Sequence, residues 1–546
     1  MMEMENHSQP SFSNKPGFLN DGKRSVGGKI KRNAVFNVLR IIVAAPIPLL
    51  LTPYIIRRIG AGGFGVWAIL FTISSLTSLA DFGLVGTLSK YVAEYWAHGD
   101  YARLNKLIST GTVLFGAIAV LAAAALGLLQ KPIFSALFRN TPAYSPQLAH
   151  AYYLLLPVVA FNILSFPFAS VATGLQRMDI TSMLSSLNLG SGAILSFVFL
   201  HAGYGLPGLM AATLAGAAMT LTANLLIVRR LVPTLKVNVG DATIREARQI
   251  LAFSSQVYVV QMAVAIQNNV EKFLLARMTG TLQAGWYEIA SDVSVKVRGV
   301  PSLMLGPLLS AASDLHARKD EARLSKLYLR AHKYLAMVGI PLVAWTTAFA
   351  PVFVLLWLGP AFNPVVLPIR VLVLVQFVNL ATGPGGLILF GKGYVRPATL
   401  TASVGLLINV VVSGLLIWRF GFAGAFLGTT IAIMFSSVWY LILFHRYTKY
   451  PFWSVVRMAY FKPILCSTFL AASMSLLWPP AVRWSSLILR TAVFGILYLA
   501  ALILTRFFDR FDLDQIPSRI RLSGPWRMVL GGETGQRAML EPEKSA

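Results

Sequence analysis

Three charged residues recur one helical turn apart within an otherwise apolar stretch of the chain. They are Glu288, Asp292 and Lys296, and Arg298 follows them. In an α-helix, positions four apart share one face, and Arg298 points away from it. Ionisable groups in an apolar segment are costly and indicate function: the carboxylates could take up a proton or Na⁺, and the cations could hold an anion. The alternative is structural, because Asp292 and Lys296 can pair within the helix.

A second polar group precedes this stripe. The run 267–272 reads Gln-Asn-Asn-Val-Glu-Lys, which sets Gln267 and Glu271 one turn apart with Lys272 beside them. The same residue types serve either a binding site or the end of a helix at a membrane interface, and the sequence leaves both interpretations open.

The first apolar segment opens with polar residues. Asn33, Asn37 and Arg40 are spaced i, i+4, i+7 and therefore share one helical face. Three prolines follow them, Pro46, Pro48 and Pro53. Prolines free backbone carbonyls and bend helices, which is tolerable where a cavity or a neighbouring helix satisfies those carbonyls. We predict a bent helix on which Arg40 attracts an anion; alternatively, Arg40 extends its side chain to the inner interface.

A further acid, Asp81, lies late in the second apolar segment. It could bind a substrate group or simply cap a helix near the membrane surface. Other chemistries lack their motifs: there is no GxxxxGK[ST] phosphate loop, and the seven histidines lie singly, without metal-ligand spacing. We expect no metal site, no cofactor and no catalytic residues.

The composition identifies the elements that must position these residues. Of 546 residues, 56% are hydrophobic and only 12% are charged, and the mean hydropathy is +0.66. A soluble globular chain carries about 25% charged residues. The apolar residues come in blocks of about twenty, the length that crosses a bilayer as a helix. The fold class is therefore an all-α polytopic membrane protein, and its one cysteine, Cys466, excludes an internal disulfide.

Charges, glycines and prolines delimit fourteen predicted membrane-spanning helices. The predicted limits are 34–56, 64–86, 109–129, 151–173, 182–203, 207–228, 251–275, 285–312, 334–357, 366–390, 397–418, 421–443, 463–480 and 485–505. Residues 1–33 are polar and basic and show no signal-peptide cleavage site, so we expect the first span to be retained. The tail 506–546 is interpreted as a solvated cytoplasmic segment, although its arginines could also lie on anionic headgroups.

The distribution of cations predicts the orientation. With a cytoplasmic N-terminus, 34 of the 47 Lys and Arg residues fall in inner segments, seven in outer loops and six within spans. Cations favour cytoplasmic loops, so both termini are expected to be cytoplasmic. The net charge of +26 is then mostly an orientation signal with affinity for anionic lipid headgroups, and no nucleic-acid partner is expected.

An internal repeat predicts two lobes. Residues 97–107 and 317–327 are identical at seven of eleven positions, and the same offset of 220 aligns Gly65 with Gly285 and Gly86 with Gly306. Six spans separate the copies, which gives them the same orientation and implies lobes related by an axis along the membrane normal. We predict an N-lobe at 34–228, a linker at 229–250, a C-lobe at 251–443 and two additional spans at 463–505.

Short motifs in both halves resemble one family of membrane proteins. The motifs are 53–60 (PYIIRRIG), 65–68 (GVWA), 80–84 (ADFGL), 90–94 (KYVAE), 271–275 (EKFLL) and 285–290 (GWYEIA). They resemble bacterial polysaccharide-biosynthesis (O-antigen flippase-like) proteins of the multidrug/oligosaccharidyl-lipid/polysaccharide exporter superfamily. Members often have Asp where Glu271 stands, a conservative departure.

The resemblance implies both a shape and a function. It implies a V-shaped bundle whose central cavity is lined by spans 1, 2, 7 and 8, in the bacterial cytoplasmic (inner) membrane. It further implies a non-enzymatic flippase for polyprenyl-pyrophosphate-linked oligosaccharide, with polysaccharide assembly proteins as partners. On this basis the expected substrate-binding residues are Arg40, Lys272, Lys296, Arg298, Asn37 and Gln267, and the expected sites of H⁺ or Na⁺ coupling are Glu271, Glu288, Asp292 and Asp81.

Two other functions remain open at this stage. A cation-coupled exporter of small drug-like molecules has the same fold, but its site would favour acids and aromatics over cations. A membrane glycan polymerase or ligase needs a large outer loop with reactive groups, whereas the longest predicted outer loop, 130–150, contains no carboxylate for glycosyl chemistry.

Overall fold

The computed structural model describes residues 46–139, 145–253, 262–394, 396–450, 452–478, 482–509 and 511–512. Across these residues the regular elements are helical. The α-helices are α1 (Pro46–Ser75), α2 (Leu84–His98), α3 (Tyr101–Leu128), α4 (Gln130–Leu137), α5 (Ser145–Gly174), α6 (Met178–His201), α7 (Gly205–Leu231), α8 (Ile244–Phe253), α9 (Val270–Met278), α10 (Thr281–Ser302), α11 (Leu308–Ala317), α12 (Glu321–Leu358), α13 (Val366–Ala381), α14 (Gly383–Gly391), α15 (Arg396–Phe420), α16 (Phe422–Thr448), α17 (Phe452–Val455), α18 (Phe461–Leu477) and α19 (Trp484–Leu504).

Helix length and composition confirm the polytopic class. Eleven helical segments of the described chain are long and apolar enough to cross a membrane. One of them, Ile47–Asp81, covers the described part of predicted span 1 together with span 2, and the other ten match predicted spans 3–6 and 9–14. Predicted spans 7 and 8 are not among the eleven. Residues 254–261 of span 7 lie outside the described chain, and α10 carries the charged stripe.

We call the predicted N-lobe (34–228) and C-lobe (251–443) the first and second halves. The two halves show the same backbone features 220 residues apart. Helix α1 breaks at Gly60 (φ 75°, ψ 167°), and Gly280 (φ 115°, ψ 165°) precedes α10 in nearly the same conformation. Positive φ favours glycine, because a Cβ would be strained there. Asp100 and Asp320 cap α3 and α12 identically, each side chain accepting a hydrogen bond of 3.0 Å from a backbone N–H three residues on.

The two halves meet at the paired glycines that the repeat aligns. A Cβ placed on Gly65 of α1 would lie 1.9 Å from the carbonyl oxygen of Thr281, and one on Gly285 of α10 would lie 2.9 Å from the Cα of Gly65. Small residues let helix backbones approach this closely in membranes. The contact lies at the end of the molecule that carries the Gly60 and Gly280 breaks, which we call the glycine end.

The linker between the halves is attached to α3. The side chain of Asn105 accepts a hydrogen bond from the N–H of Lys236 at 3.2 Å, and the hydroxyls of Ser109 and Thr110 accept from the N–H groups of Asn238 and Thr243 at 3.0 and 3.1 Å. These hydrogen bonds satisfy backbone groups that no regular element pairs. The described linker is therefore held along the first half of the chain.

The start of the C-terminal tail differs from the solvated segment that the sequence predicts. Lys333 of α12 bonds the carboxylates of Asp509 at 3.2 Å and Asp512 at 2.5 Å, and Tyr334 donates to Asp512 at 2.5 Å. The Asp512 side chain is only 7% exposed. This cluster, which we call the tail clasp, fixes the chain after α19 onto α12. Solvation was expected because the tail is polar, and the correction follows from its pairing with a buried cation.

Replacing Lys333 with Gln should lower the melting temperature of the detergent-purified protein. Burial raises the pKa of the Asp512 carboxyl, but the hydrogen bonds from Lys333, Tyr334 and the Asp509 amide outweigh burial, so the pKa is lowered from 3.8. The ionised Asp512 carboxylate therefore stabilises the folded protein above pH 3.8, and this stabilisation is lost as the pH falls through the lower pKa of the folded state. Lys333→Gln removes the charged donor and leaves Asp512 the hydrogen bonds from Tyr334 and the Asp509 amide; losing a hydrogen bond to a charged group costs about 1.5–3 kcal/mol.

The exposed Lys326 on the same helix supplies the matched control for this measurement. Differential scanning fluorimetry at pH 7 should show a lower melting temperature for Lys333→Gln than for Lys326→Gln. Equal melting temperatures of the two variants would contradict the tail clasp.

Candidate functional site

The charged stripe of α10 shares a helical face with a glycine that contacts the other half of the molecule. Glu288, Asp292 and Lys296 lie on the same helical face as Gly285, which packs against Gly65 of α1. Lys296 bonds Asp292 within the helix, as the spacing allows, and the two side chains are 40% and 41% exposed. The stripe thus begins one turn from the glycine contact, and its Asp292 and Lys296 side chains are partly exposed.

Lys272 of α9 is paired rather than free. Its Nζ lies 2.6 Å from Oε2 of Glu288, and its side chain is only 9% exposed. The sequence assigned Lys272 to substrate and Glu288 to ion coupling as separate residues. The structure joins them in one ion pair, so each neutralises the other, and the pair connects α9 to the stripe of α10.

Arg298 points away from the stripe, into the packing between α10 and α13. Its Nη1 donates to Oε1 of Gln376 at 2.7 Å and to Oδ1 of Asn379 at 3.2 Å. Neutral amide oxygens orient a guanidinium without cancelling its charge. Sequence reasoning missed both amides, although Gln376 and Asn379 stand three residues apart in an apolar segment, which is itself a signal.

Glu271 lies in a buried polar cluster between α9, α15 and α16. Its Oε1 accepts hydrogen bonds from Asn409 Nδ2 at 2.6 Å, Thr429 Oγ1 at 2.7 Å and Ser413 Oγ at 3.3 Å. Its Oε2 and Oδ1 of Asn409 have no hydrogen-bond partner among the described residues. We call Glu271, Asn409, Ser413 and Thr429 the carboxylate cluster. It presents two buried acceptor oxygens to which the described chain supplies no donor.

A helix break positions Glu271. The helical residues 262–267 end in a turn at Asn268 and Asn269, and α9 starts at Val270, so Glu271 occupies its first turn. Interrupted membrane helices are a common framework for Na⁺ or H⁺ sites. The Tyr287 hydroxyl lies 2.8 Å from Oγ1 of Thr429, which connects the carboxylate cluster to α10.

Two of the remaining predicted site residues, Asp81 and Gln267, belong to the described chain. Asp81 accepts a hydrogen bond of 2.7 Å from the backbone N–H of Val85, at the start of α2, where a capping residue belongs. Gln267 ends the helical residues before the turn, and its side chain is partly exposed. Arg40 and Asn37 lie outside the described residues. The described chain contains no group of three or more His, Cys, Asp and Glu residues that could hold a metal ion.

Comparisons of sequence identify relatives of this chain. The family model for polysaccharide biosynthesis protein matches residues 30–313. An uncharacterised membrane protein of Methanocaldococcus jannaschii is 21% identical over 458 residues, which are 80% of this chain and 89% of that protein. A putative O-antigen transporter of Shigella flexneri is 19% identical over 337 residues, 61% of this chain and 78% of the relative.

Solved structures share the fold at low sequence identity. The lipid II flippase MurJ, in an inward closed conformation, aligns with a TM-score of 0.64 and 13% identity over 84% of this chain and 97% of its own. An inward-facing multidrug transporter of the MATE family aligns with a TM-score of 0.61 and 14% identity over 75% and 98%. These similarities show the fold alone. The family model matches more than half of the residues, and the chain therefore belongs to the polysaccharide biosynthesis protein family.

Proposed function

We propose that this protein is a flippase that moves polyprenyl-pyrophosphate-linked oligosaccharide across the bacterial cytoplasmic membrane by alternating access. The observation that carries the proposal is the charged stripe of α10, which lies on the same helical face as the glycine that contacts the other half. Charges are tolerated at membrane depth where they line a hydrated cavity. Membership of the polysaccharide biosynthesis family and the O-antigen relative support a glycan cargo.

The proposed substrate site is built around two cations that can still bind an anion. Among the described residues, Arg298 is held by the neutral amides of Gln376 and Asn379, so its charge is not cancelled. Lys296 is paired with Asp292, but the pair is exposed and a pyrophosphate, which carries several negative charges, can compete for it, whereas the Lys272 side chain is buried in its pair with Glu288. Arg40 would contribute a further cation, and Asn37 and Gln267 would contact sugar hydroxyls. The polyprenyl chain stays in lipid.

The proposed orientation assigns the two ends of the molecule to the two sides of the membrane. Cytoplasmic termini, which the cation distribution favours, place the glycine end on the outer side. The lobes are then closed toward the outside, where Gly65 contacts Gly285 and Thr281. A substrate made in the cytoplasm would enter from the opposite end and leave when the glycine contact opens.

The carboxylate cluster is the best-supported ion-coupling site. Oε2 of Glu271 and Oδ1 of Asn409 are acceptor oxygens left without donors in the described chain, and a proton or Na⁺ on the Glu271 carboxylate would satisfy the first of them. Glu288 and Asp292 are already in ion pairs, and Asp81 caps a helix. We therefore assign H⁺ or Na⁺ coupling to Glu271 first among the four acids.

A small-molecule exporter is the second candidate, because the fold is shared with the MATE transporter. The phenotype of a deletion strain distinguishes the two functions. A deletion strain should lose surface polysaccharide and accumulate the lipid-linked precursor under the flippase proposal. An unchanged polysaccharide together with increased drug susceptibility would instead support the exporter.

Replacing both Lys296 and Arg298 with Gln should reduce restoration of surface polysaccharide in a flippase-deficient strain. A hydrogen bond to a charged group contributes about 1.5–3 kcal/mol, so losing even one such contact with pyrophosphate should slow transport about tenfold or more. Polysaccharide is measured at matched membrane expression. The exposed cation Arg277 supplies the control variant Arg277→Gln. Full restoration by the double variant would remove both residues from the substrate site.

A further inference from the structure

Trp357 joins the two halves of the molecule through a single hydrogen bond to the backbone. Its indole Nε1 donates to the carbonyl oxygen of Leu49 in α1 at 2.6 Å, across 308 residues of sequence. Trp357 is the penultimate residue of α12, which ends at Leu358, whereas Leu49 lies in the segment of α1 that precedes the Gly60 break. The bond therefore ties a helix of the second half to one of the first.

The Leu49 carbonyl is available because of a proline four residues later. In an α-helix this carbonyl would accept from the N–H of residue 53, but Pro53 has none. A carbonyl without a donor in an apolar setting is costly, and in membranes a neighbouring helix normally supplies the missing partner. Here the partner is the indole of Trp357, on the opposite half.

The indole is held in place for this contact. The Trp357 side chain is buried and stacks on Phe353, with ring centroids 5.2 Å apart and an interplanar angle of 29°. Stacked aromatic rings restrict each other's rotation, which aims the N–H at a fixed point. The bond can therefore be lost by moving α1 relative to α12, without a change of the tryptophan rotamer.

We propose that Trp357 is a gating latch that stabilises the state closed at the glycine end. When the lobes separate there, the indole N–H and the Leu49 carbonyl must part, and both then need water or another partner. The latch thereby penalises opening and sets the balance between the two states. This inference rests on the alternating access of the proposed function and assigns a specific residue to one of its two closed states.

The expected effect of Trp357→Phe is a shift toward the open state. Phenylalanine keeps an aromatic ring on Phe353 but removes the donor. One net hydrogen bond corresponds to roughly a five- to tenfold change in the ratio of open to closed molecules. Spin labels on Arg57→Cys and Arg277→Cys, exposed positions related by the repeat, report the separation at the glycine end in a Cys466→Ser background. Electron–electron double resonance in lipid nanodiscs gives the two populations without substrate.

The control is a second tryptophan of the same helix. The buried indole nitrogen of Trp345 has no hydrogen-bond partner among the described residues, so Trp345→Phe removes the same atoms without removing a latch. The proposal is supported if the open-to-closed ratio rises in Trp357→Phe and stays near wild type in Trp345→Phe. An unchanged ratio in Trp357→Phe, or an equal rise in both variants, would overturn it.

Pro53→Ala provides an independent test from the other side of the bond. Alanine restores an N–H that can donate to the Leu49 carbonyl within α1. The hydrogen bond from Trp357 then contributes less to the stability of the closed state. The open-to-closed ratio should rise, and Trp357→Phe should add less to it in this background than in wild type. Full additivity would overturn the latch. If the wild-type protein shows two distance populations whose ratio does not change in these variants, the latch is overturned but alternating access is not. If every variant shows one and the same distance, alternating access is overturned as well.

Discussion

Replacing Glu271 with Gln should abolish the dependence of transport on an ion gradient and slow gradient-driven transport by about tenfold or more. The carboxylate is buried, and three neutral side chains donate to a single one of its oxygens. A buried charge without a counter-ion is strongly unfavourable. The proposed counter-ion is the transported Na⁺ or H⁺, and a neutral amide cannot hold either in the same way.

The substitution is designed to leave the fold intact. Gln has the shape of Glu, and its Oε1 can keep the hydrogen bonds from Asn409, Ser413 and Thr429. Its amide group can act as a donor in a cluster where Oδ1 of Asn409 has no donor among the described residues. Glu271→Asp is the matched variant that keeps the charge, and it should retain ion dependence at a reduced rate.

Reconstituted proteoliposomes supply the measurement. Transport of a lipid-linked oligosaccharide is followed with a Na⁺ gradient, a pH gradient or neither, and binding of radioactive Na⁺ is measured on the same samples. Wild-type protein should respond to one gradient, and Glu271→Gln to none. If Glu271→Gln keeps the wild-type gradient response, the carboxylate cluster is not the coupling site.

The sequence predicted what local spacing determines. Hydropathy blocks located predicted spans 2–6 and 9–14 and the described part of span 1, and the four-residue interval of Asp292 and Lys296 anticipated their contact within α10. The repeat anticipated that Gly65 and Gly285 are equivalent positions, and both lie where α1 contacts α10. These features follow from helical periodicity and from bilayer thickness, which act on any sequence in the same way.

The sequence did not predict contacts between residues that are far apart in the chain. Asn409 and Thr429 approach Glu271 from 138 and 158 residues away, and nothing in their own neighbourhoods selects them over other polar residues in spans. Lys272 and Glu288 looked like independent sites because they are in different helices. The tail clasp was missed for the same reason, since Lys333 and Asp512 are 179 residues apart. Contacts of this kind depend on how helices are placed, not on local pattern.

The two copies of the repeat share backbone features but differ in their charged side chains. The positions that the offset of 220 pairs with Glu288 and Asp292 are Ala68 and Thr72, and both are buried. In α1 the first half therefore repeats the helix break and the glycine of the second half, and Asp100 repeats its capping aspartate, but positions 68 and 72 do not repeat the charges of α10. We infer that the second half supplies the charged stripe of the proposed cavity, and that the first half supplies a close-packed surface against which this part of α10 closes.

That division of roles makes Gly65 the most sensitive position of the closing surface. Gly65→Ala places a Cβ 1.9 Å from the Thr281 carbonyl oxygen, and Gly285→Ala places one 2.9 Å from the Gly65 Cα. Both obstacles are backbone atoms, which cannot turn aside as a side chain can. Overpacking costs typically 1–3 kcal/mol, so the closed state should lose its advantage by roughly tenfold or more.

The spin-label pair at Arg57 and Arg277 should report a larger separation for Gly65→Ala, and transport should fall because one of the two states is lost. Gly86→Ala is the matched control, since a Cβ there meets nothing within 4 Å, and it should leave both quantities near wild type. A wild-type distance in Gly65→Ala would show that α1 and α10 shift to accommodate the methyl group. Wild-type transport with an enlarged distance would instead mean that closure at the glycine end is not required for the cycle.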